Sequence, residues 1–124
     1  MSIARRKVPR IRQIARWLAA KHPTPFPVIL VCCRKDRRLG KNIGLTTRSG
    51  QKIYIFVDVR VCFQLAFDTL IHEWAHAVEW RHAGLEKKRV ESGHPFHDEP
   101  WACTYGKIYR HFAEEGGRVE SGRY

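Results

Sequence analysis

Residues 68–80, DTLIHEWAHAVEW, predict the central element of the fold. It contains the pattern H-E-x-x-H, formed by His72, Glu73 and His76. Apolar residues recur through it at helical spacing, and neither proline nor glycine interrupts the surrounding run. The pattern predicts one long central helix, from Val59 to about His82, with both histidines on a stripe beside the packing stripe.

The two histidines of this pattern suit a metal site. Positions i and i+4 share a helix face, so the imidazoles of His72 and His76 can reach one metal ion. Glu73 lies one step round the helix, close enough to polarise a water. We therefore predict one zinc ion per chain and a zinc hydrolase. A catalytic zinc normally has a third protein ligand, and both His94 and His97 precede the last predicted helix.

Elements on either side of the central helix predict an α+β fold. We expect a small, mainly antiparallel three-stranded sheet, packed with an N-terminal helix, the central helix and a C-terminal helix. Ser49-Gly50 predicts a hairpin between the second and third strands. The expected elements besides the central helix are the helices Pro9–Lys21 and Glu99–Glu115 and the strands Val28–Cys33, Ile43–Arg48 and Ile53–Val57.

Length and composition indicate a single domain. The 124 residues suffice for one modest core, and the 44% hydrophobic content argues against disorder. We divide the chain into a basic half (1–60), a metal-site half (61–115) and a loose tail (116–124).

No apolar run is long enough to span a bilayer and no secretory signal follows the first residues, so we expect a cytoplasmic protein. The cysteine spacing predicts free, mostly buried thiols, and nothing indicates an oligomeric state.

Charge is distributed unevenly along the chain. Residues 1–60 carry 15 Lys and Arg against 2 acids, whereas residues 61–124 carry 8 against 10. A positive half beside a nearly neutral catalytic half predicts contact with a polyanion such as nucleic acid. Solubilising surface charge explains the same composition.

The segment from about Asp68 to Phe112 resembles the SprT-like zinc metallopeptidases. The resemblance rests on H-E-x-x-H and on HDEPW, residues 97–101, which is similar to a family motif that opens a helix with further aromatic residues. It implies that His72, His76 and His97 bind zinc, with Glu73 as general base and a protein or peptide as substrate. Asp98 stands where the family often has glycine, which leaves His94 as the alternative ligand.

Further residues have expected roles in this site. Tyr105 or Tyr109 could donate a hydrogen bond to the oxyanion that forms, although aromatic residues at helical spacing usually pack in a core. Glu79 could orient a ligand histidine. His111 is expected on the surface of the last helix. Two other functions fit the sequence: a nucleic-acid-binding module with a structural or inactive zinc site, and a zinc hydrolase acting on non-peptide amides.

Overall fold

The computed structural model describes residues 3–34, 39, 42–80 and 99–121. Helices and strands both occur in this part of the chain, and the predicted α+β class is confirmed. The elements are α1 (Ile3–Lys21), β1 (Val28–Cys33), β2 (Gly44–Ser49), β3 (Lys52–Asp58), α2 (Phe63–Val78) and α3 (Glu99–Ser121).

The sheet is mixed, with strand order β1-β3-β2. Strands β2 and β3 form the predicted antiparallel hairpin, in which Ser49 pairs with Lys52 around a two-residue turn. Gly50 has a positive φ of 61° at the first turn position, as a type II′ turn requires. Strand β1 pairs with β3 in parallel. The prediction of antiparallel pairing is therefore right for the hairpin and wrong for β1.

The central strand supplies the middle of the core. Ile53, Ile55 and Val57 share one face of β3 and are inaccessible to solvent. Phe56, on the opposite face, is also buried. Helix α2 lies against β2, β3, α1 and α3. Its predicted packing stripe is buried, with Leu70 and Ile71 inaccessible to solvent.

The central helix begins at Phe63, four residues later than the predicted start at Val59. The backbone of Val59 is already engaged, because its N–H donates to the carbonyl of Cys33 and its carbonyl accepts from the Lys7 ammonium group. Lys7 also donates to the carbonyl of Val61. These bonds hold residues 59–62 outside α2 and join them to α1.

Helices α1 and α3 are longer than predicted. Helix α1 begins at Ile3 and contains Pro9 in its interior, so the proline does not mark the first turn. Helix α3 begins at Glu99 as predicted, but it continues through Gly116 and Gly117 to Ser121. Each glycine costs a helix about 1 kcal/mol, which was too little to end it. Residues 116–121 are therefore helical rather than a loose tail.

Several side chains have surroundings that differ from expectation. His111 is half-buried, and one of its ring nitrogens lies 2.9 Å from a ring nitrogen of His22. All four cysteines are free, as predicted, but two are exposed and two are half-buried. In the described part of the chain, no helix has the length and apolar character needed to cross a membrane.

Candidate metal centre and active-site cleft

The two histidines of the central pattern meet at one point on α2. The Nε2 atoms of His72 and His76 lie 3.2 Å apart, and their rings are 4.9 Å apart at 75°. Glu73 joins them, because its Oε2 lies 3.9 Å from the Nε2 of His72. One ligand atom from each of these residues falls within 4.8 Å of the others. This group could hold a metal ion.

Burial differs between the members of this cluster. His76 is 4% exposed and Glu73 is 7% exposed, whereas the side chain of His72 keeps 32% of its surface accessible. An ion bound between them would therefore be reached from the side of His72. Of the residues that the structure describes, no other group has the same capacity to hold a metal.

Glu73 is a buried carboxyl group with one hydroxyl partner. The Oγ1 of Thr46 lies 2.7 Å from Glu73 Oε1 and 3.0 Å from the Glu73 carbonyl oxygen. Burial raises the pKa of Glu73 to about 7, although the hydrogen bond from Thr46 acts in the opposite direction. A carboxyl group with a pKa near neutrality suits proton transfer.

Strand β2 brings Thr46 to α2 through a close approach at Gly44. A Cβ atom added to Gly44 would lie 2.3 Å from Thr69 Cγ2 and 3.0 Å from Glu73 Oε2. Glycine is thus the residue that lets the start of β2 reach the helix at this level. Since Gly44 and Thr46 are two positions apart on one strand, they face the same side of the sheet.

The aromatic residues of α3 cover the other side of the histidines. The Trp101 ring stacks on that of His76, with centroids 5.1 Å apart at 22°, and lies edge-on to His72 at 4.9 Å. Its indole N–H donates to the His72 carbonyl oxygen at 3.3 Å. The predicted aromatic face of α3 therefore contributes to the site as well as to the core.

An open cleft of about 330 Å³ lies beside the cluster. Tyr105 lines it, with its ring centroid 6.1 Å from that of His72, while Tyr109 packs edge-on against Phe67 instead. Desolvation, and to a smaller extent the charge of Asp68, raise the pKa of Tyr105. Of the two predicted hydroxyl donors, Tyr105 is the one that lines this cleft.

The other residues predicted for the site are Glu79, His97 and His94. Glu79 caps the C-terminal end of α2 through its backbone, and the contact expected between its carboxylate and a ligand histidine stays a prediction. His97, the third ligand implied by the resemblance, and His94, its alternative, lie outside the described residues.

Sequence reasoning missed Gly44, Thr46 and Asp68 as site residues. The first two come from β2, and only the alternation of that strand could have placed them on one face. Asp68 precedes His72 by one helical turn, so its position on the histidine side of α2 could have been found from helical periodicity.

In comparisons with protein-family models, with curated proteins and with solved structures, nothing matches this chain. The fold and the site define an α+β domain with a His-Glu-His cluster on its central helix. The resemblance to SprT-like metallopeptidases stays a prediction that rests on the sequence motifs.

Proposed function

We propose that this protein is a zinc-dependent metallopeptidase of the SprT-like type, with Glu73 as general base. The observation that carries the proposal is the 3.2 Å separation of the two Nε2 atoms beside a buried carboxyl group. Two nitrogen ligands at about 2.0–2.1 Å from one tetrahedral zinc ion lie roughly 3.3 Å apart, so the pair fits zinc. His72, His76 and His97 would hold the ion, with His94 as the alternative to His97.

A zinc ion held there supplies a Lewis acid that lowers the pKa of water and polarises a carbonyl group. Three side chains of the protein would carry out the remaining functions. Glu73 accepts the proton of the attacking water and passes it to the leaving amine as the carbon–nitrogen bond breaks. Thr46 orients the carboxylate through its 2.7 Å hydrogen bond. The Tyr105 hydroxyl keeps its proton at neutral pH and can donate to the oxyanion.

We further propose that the substrates are polypeptides associated with nucleic acid. The support is the charge of residues 1–60, which carry 15 Lys and Arg against 2 acids. Such a half would hold the enzyme at a polyanion while the nearly neutral half acts on bound protein. Free thiols at all four cysteines suit a reducing compartment, and we propose a cytoplasmic location.

Metal analysis and hydrolysis test the proposal together. We expect about one zinc per purified chain, lost on His72→Ala or His76→Ala and lowered by His97→Ala rather than by His94→Ala. Glu73→Gln should keep the zinc and lose hydrolysis of an unfolded protein such as casein. Glu114→Gln, which changes an exposed carboxylate on α3, is the matched control and should behave as the parent.

Hydrolysis that survives Glu73→Gln would refute the assigned base. Zinc binding with no hydrolysis of any polypeptide would favour the nucleic-acid-binding module or the amide hydrolase.

A further inference from the structure

The cleft beside the metal-capable cluster has an apolar wall that is open to solvent. Ile43 and Leu65 both line it, and Leu65 is 40% exposed. Among the described residues, only Ile29 is another large hydrophobic side chain with comparable exposure. An exposed leucine in a concave wall is suited to contact the aliphatic part of a ligand.

The same cleft contains an aspartate carboxylate, although the protein as a whole is strongly basic. Asp68 lines it, and its Oδ1 accepts a hydrogen bond of 3.0 Å from the neutral amide of Gln64. The chain has 23 Lys and Arg, yet none of them is among the described residues that line this cleft. The charge of Asp68 acts across the cleft, since it contributes to the raised pKa of Tyr105.

An aliphatic wall with a carboxylate at its edge matches one kind of side chain. Lysine and arginine have long apolar stems and a cationic head, and they bury the stem while the head reaches an acid or water. Asp68 precedes His72 by four residues on α2, so their Cβ atoms are about 5–6 Å apart. A head group at Asp68 would thus lie one helical turn from the metal ligands.

We propose that this cleft is a specificity subsite for a lysine or arginine side chain of the substrate, next to the bond that is cleaved. The inference rests on the proposed peptidase function and narrows the substrate to basic polypeptides. The stem lies against Leu65 and Ile43, and the cationic head pairs with Asp68. Proteins that bind nucleic acid are rich in such side chains.

Binding of an isosteric peptide pair tests the subsite without requiring turnover. We would titrate full-length Glu73→Gln protein into a fluorescein-labelled peptide that contains one arginine, and into the same peptide with citrulline. Citrulline keeps the shape of arginine and removes its charge. We expect the arginine peptide to bind about tenfold more tightly, as for one charge-assisted hydrogen bond in a partly exposed site.

Control variants separate the effect of Asp68 on peptide binding from the effect of the protein's net charge. A protein with net charge +11 repels a cationic peptide, so general electrostatics favours citrulline. Asp68→Asn should abolish the preference for arginine, whereas Glu114→Gln should leave it unchanged. Equal or weaker binding of the arginine peptide, or a preference that survives Asp68→Asn, would overturn the subsite.

Hydrolysis of the same two peptides by the unmodified protein separates this inference from the proposed function. If both peptides are cut equally well and bind equally, the subsite is refuted while the peptidase stands. If neither is cut but the Asp68-dependent preference in binding appears, the cleft binds a basic side chain, and both the peptidase assignment and a role of the cleft in cleavage specificity fail.

Discussion

Among single residues, Thr46 has the most direct influence on the proposed base. Its one hydroxyl proton has two acceptors within reach, the Glu73 carboxylate at 2.7 Å and the Glu73 carbonyl at 3.0 Å. When Glu73 is ionised, donation to the carboxylate is favoured because the acceptor is charged. Thr46 therefore stabilises the form of Glu73 that can accept a proton.

Replacing Thr46 should change the pH dependence of hydrolysis. Without its hydroxyl group the pKa of Glu73 rises, so the base is ionised only at higher pH. In Thr46→Val we expect the acidic limb of kcat/KM against pH to move up by about one pH unit, from the loss of one hydrogen bond to a charged group. Thr46→Ser keeps the hydroxyl and should retain the parent profile. Equal shifts in both variants would show that Thr46 acts through packing alone.

Gly44 is constrained by space rather than by backbone conformation. A Cβ there would meet Thr69 Cγ2 at 2.3 Å, so Gly44→Ala should destabilise the fold by roughly 1–3 kcal/mol in urea denaturation and lower hydrolysis. Thr69→Ser removes that methyl group and should recover part of the loss, as a double-mutant cycle would measure. Gly106→Ala is the control, because nothing lies within 4 Å of the added atom. An equal loss in both alanine variants would contradict this account.

A chain of polar contacts joins α1, the segment after it and α3. His22 and His111 share a ring-nitrogen contact of 2.9 Å, and His111 Nε2 lies 3.4 Å from the Glu115 carboxylate. The other oxygen of Glu115 accepts from the Trp17 indole at 2.7 Å. With both imidazoles neutral, each can donate to the next group, so every member of the chain is satisfied.

Acidification should weaken this connection. Burial, and then the proximity of His111, lower the pKa of His22, so the folded protein holds its imidazole neutral. The unfolded chain then binds the proton first, and stability falls as the pH drops below about 6.5. Glu73, with its raised pKa, acts in the opposite direction. We therefore compare the parent protein with the His22→Asn variant and measure the free energy of unfolding of both by urea denaturation at pH 7.5 and pH 5.5. The variant should lose less stability on acidification than the parent, and an equal loss in the two would refute the role of His22.

The elements that were predicted well are those with local signals. The β-branched run gave the bounds of β1 directly, and Ser49-Gly50 located the hairpin. The parallel pairing of β1 with β3 has no such signal, because it depends on which edge of the hairpin the strand meets. The start of α2 depends on Lys7, which is 52 residues from Val59 in sequence.

The same distinction explains how much of the site was predicted. His72, Glu73 and His76 share one helix, so their proximity follows from helical spacing alone. Thr46 reaches Glu73 from 27 residues away, and this contact depends on how β2 packs on α2. Local patterns therefore predicted the metal-capable group, and packing between elements determined the surroundings of the base.

For the whole molecule, the uneven charge should appear as salt-dependent binding of a polyanion. Arg12 and Arg16 lie one turn apart on α1 and line a shallow groove against β1. If this face meets the phosphates, binding of single-stranded DNA should weaken steeply with salt, with a slope set by the number of phosphate contacts. Arg12→Gln with Arg16→Gln should then reduce that slope by about 2.

A matched pair on another helix makes this prediction specific to α1. Lys107→Gln with Arg110→Gln removes the same charge from exposed positions on α3 and should leave the slope nearly unchanged. Fluorescence anisotropy between 50 and 200 mM salt would measure all three proteins, over the range in which counterion release dominates. Equal reductions in the two double variants would assign the effect to net charge alone. A lack of binding at the lowest salt would mean that the arginines of α1 serve only solubility.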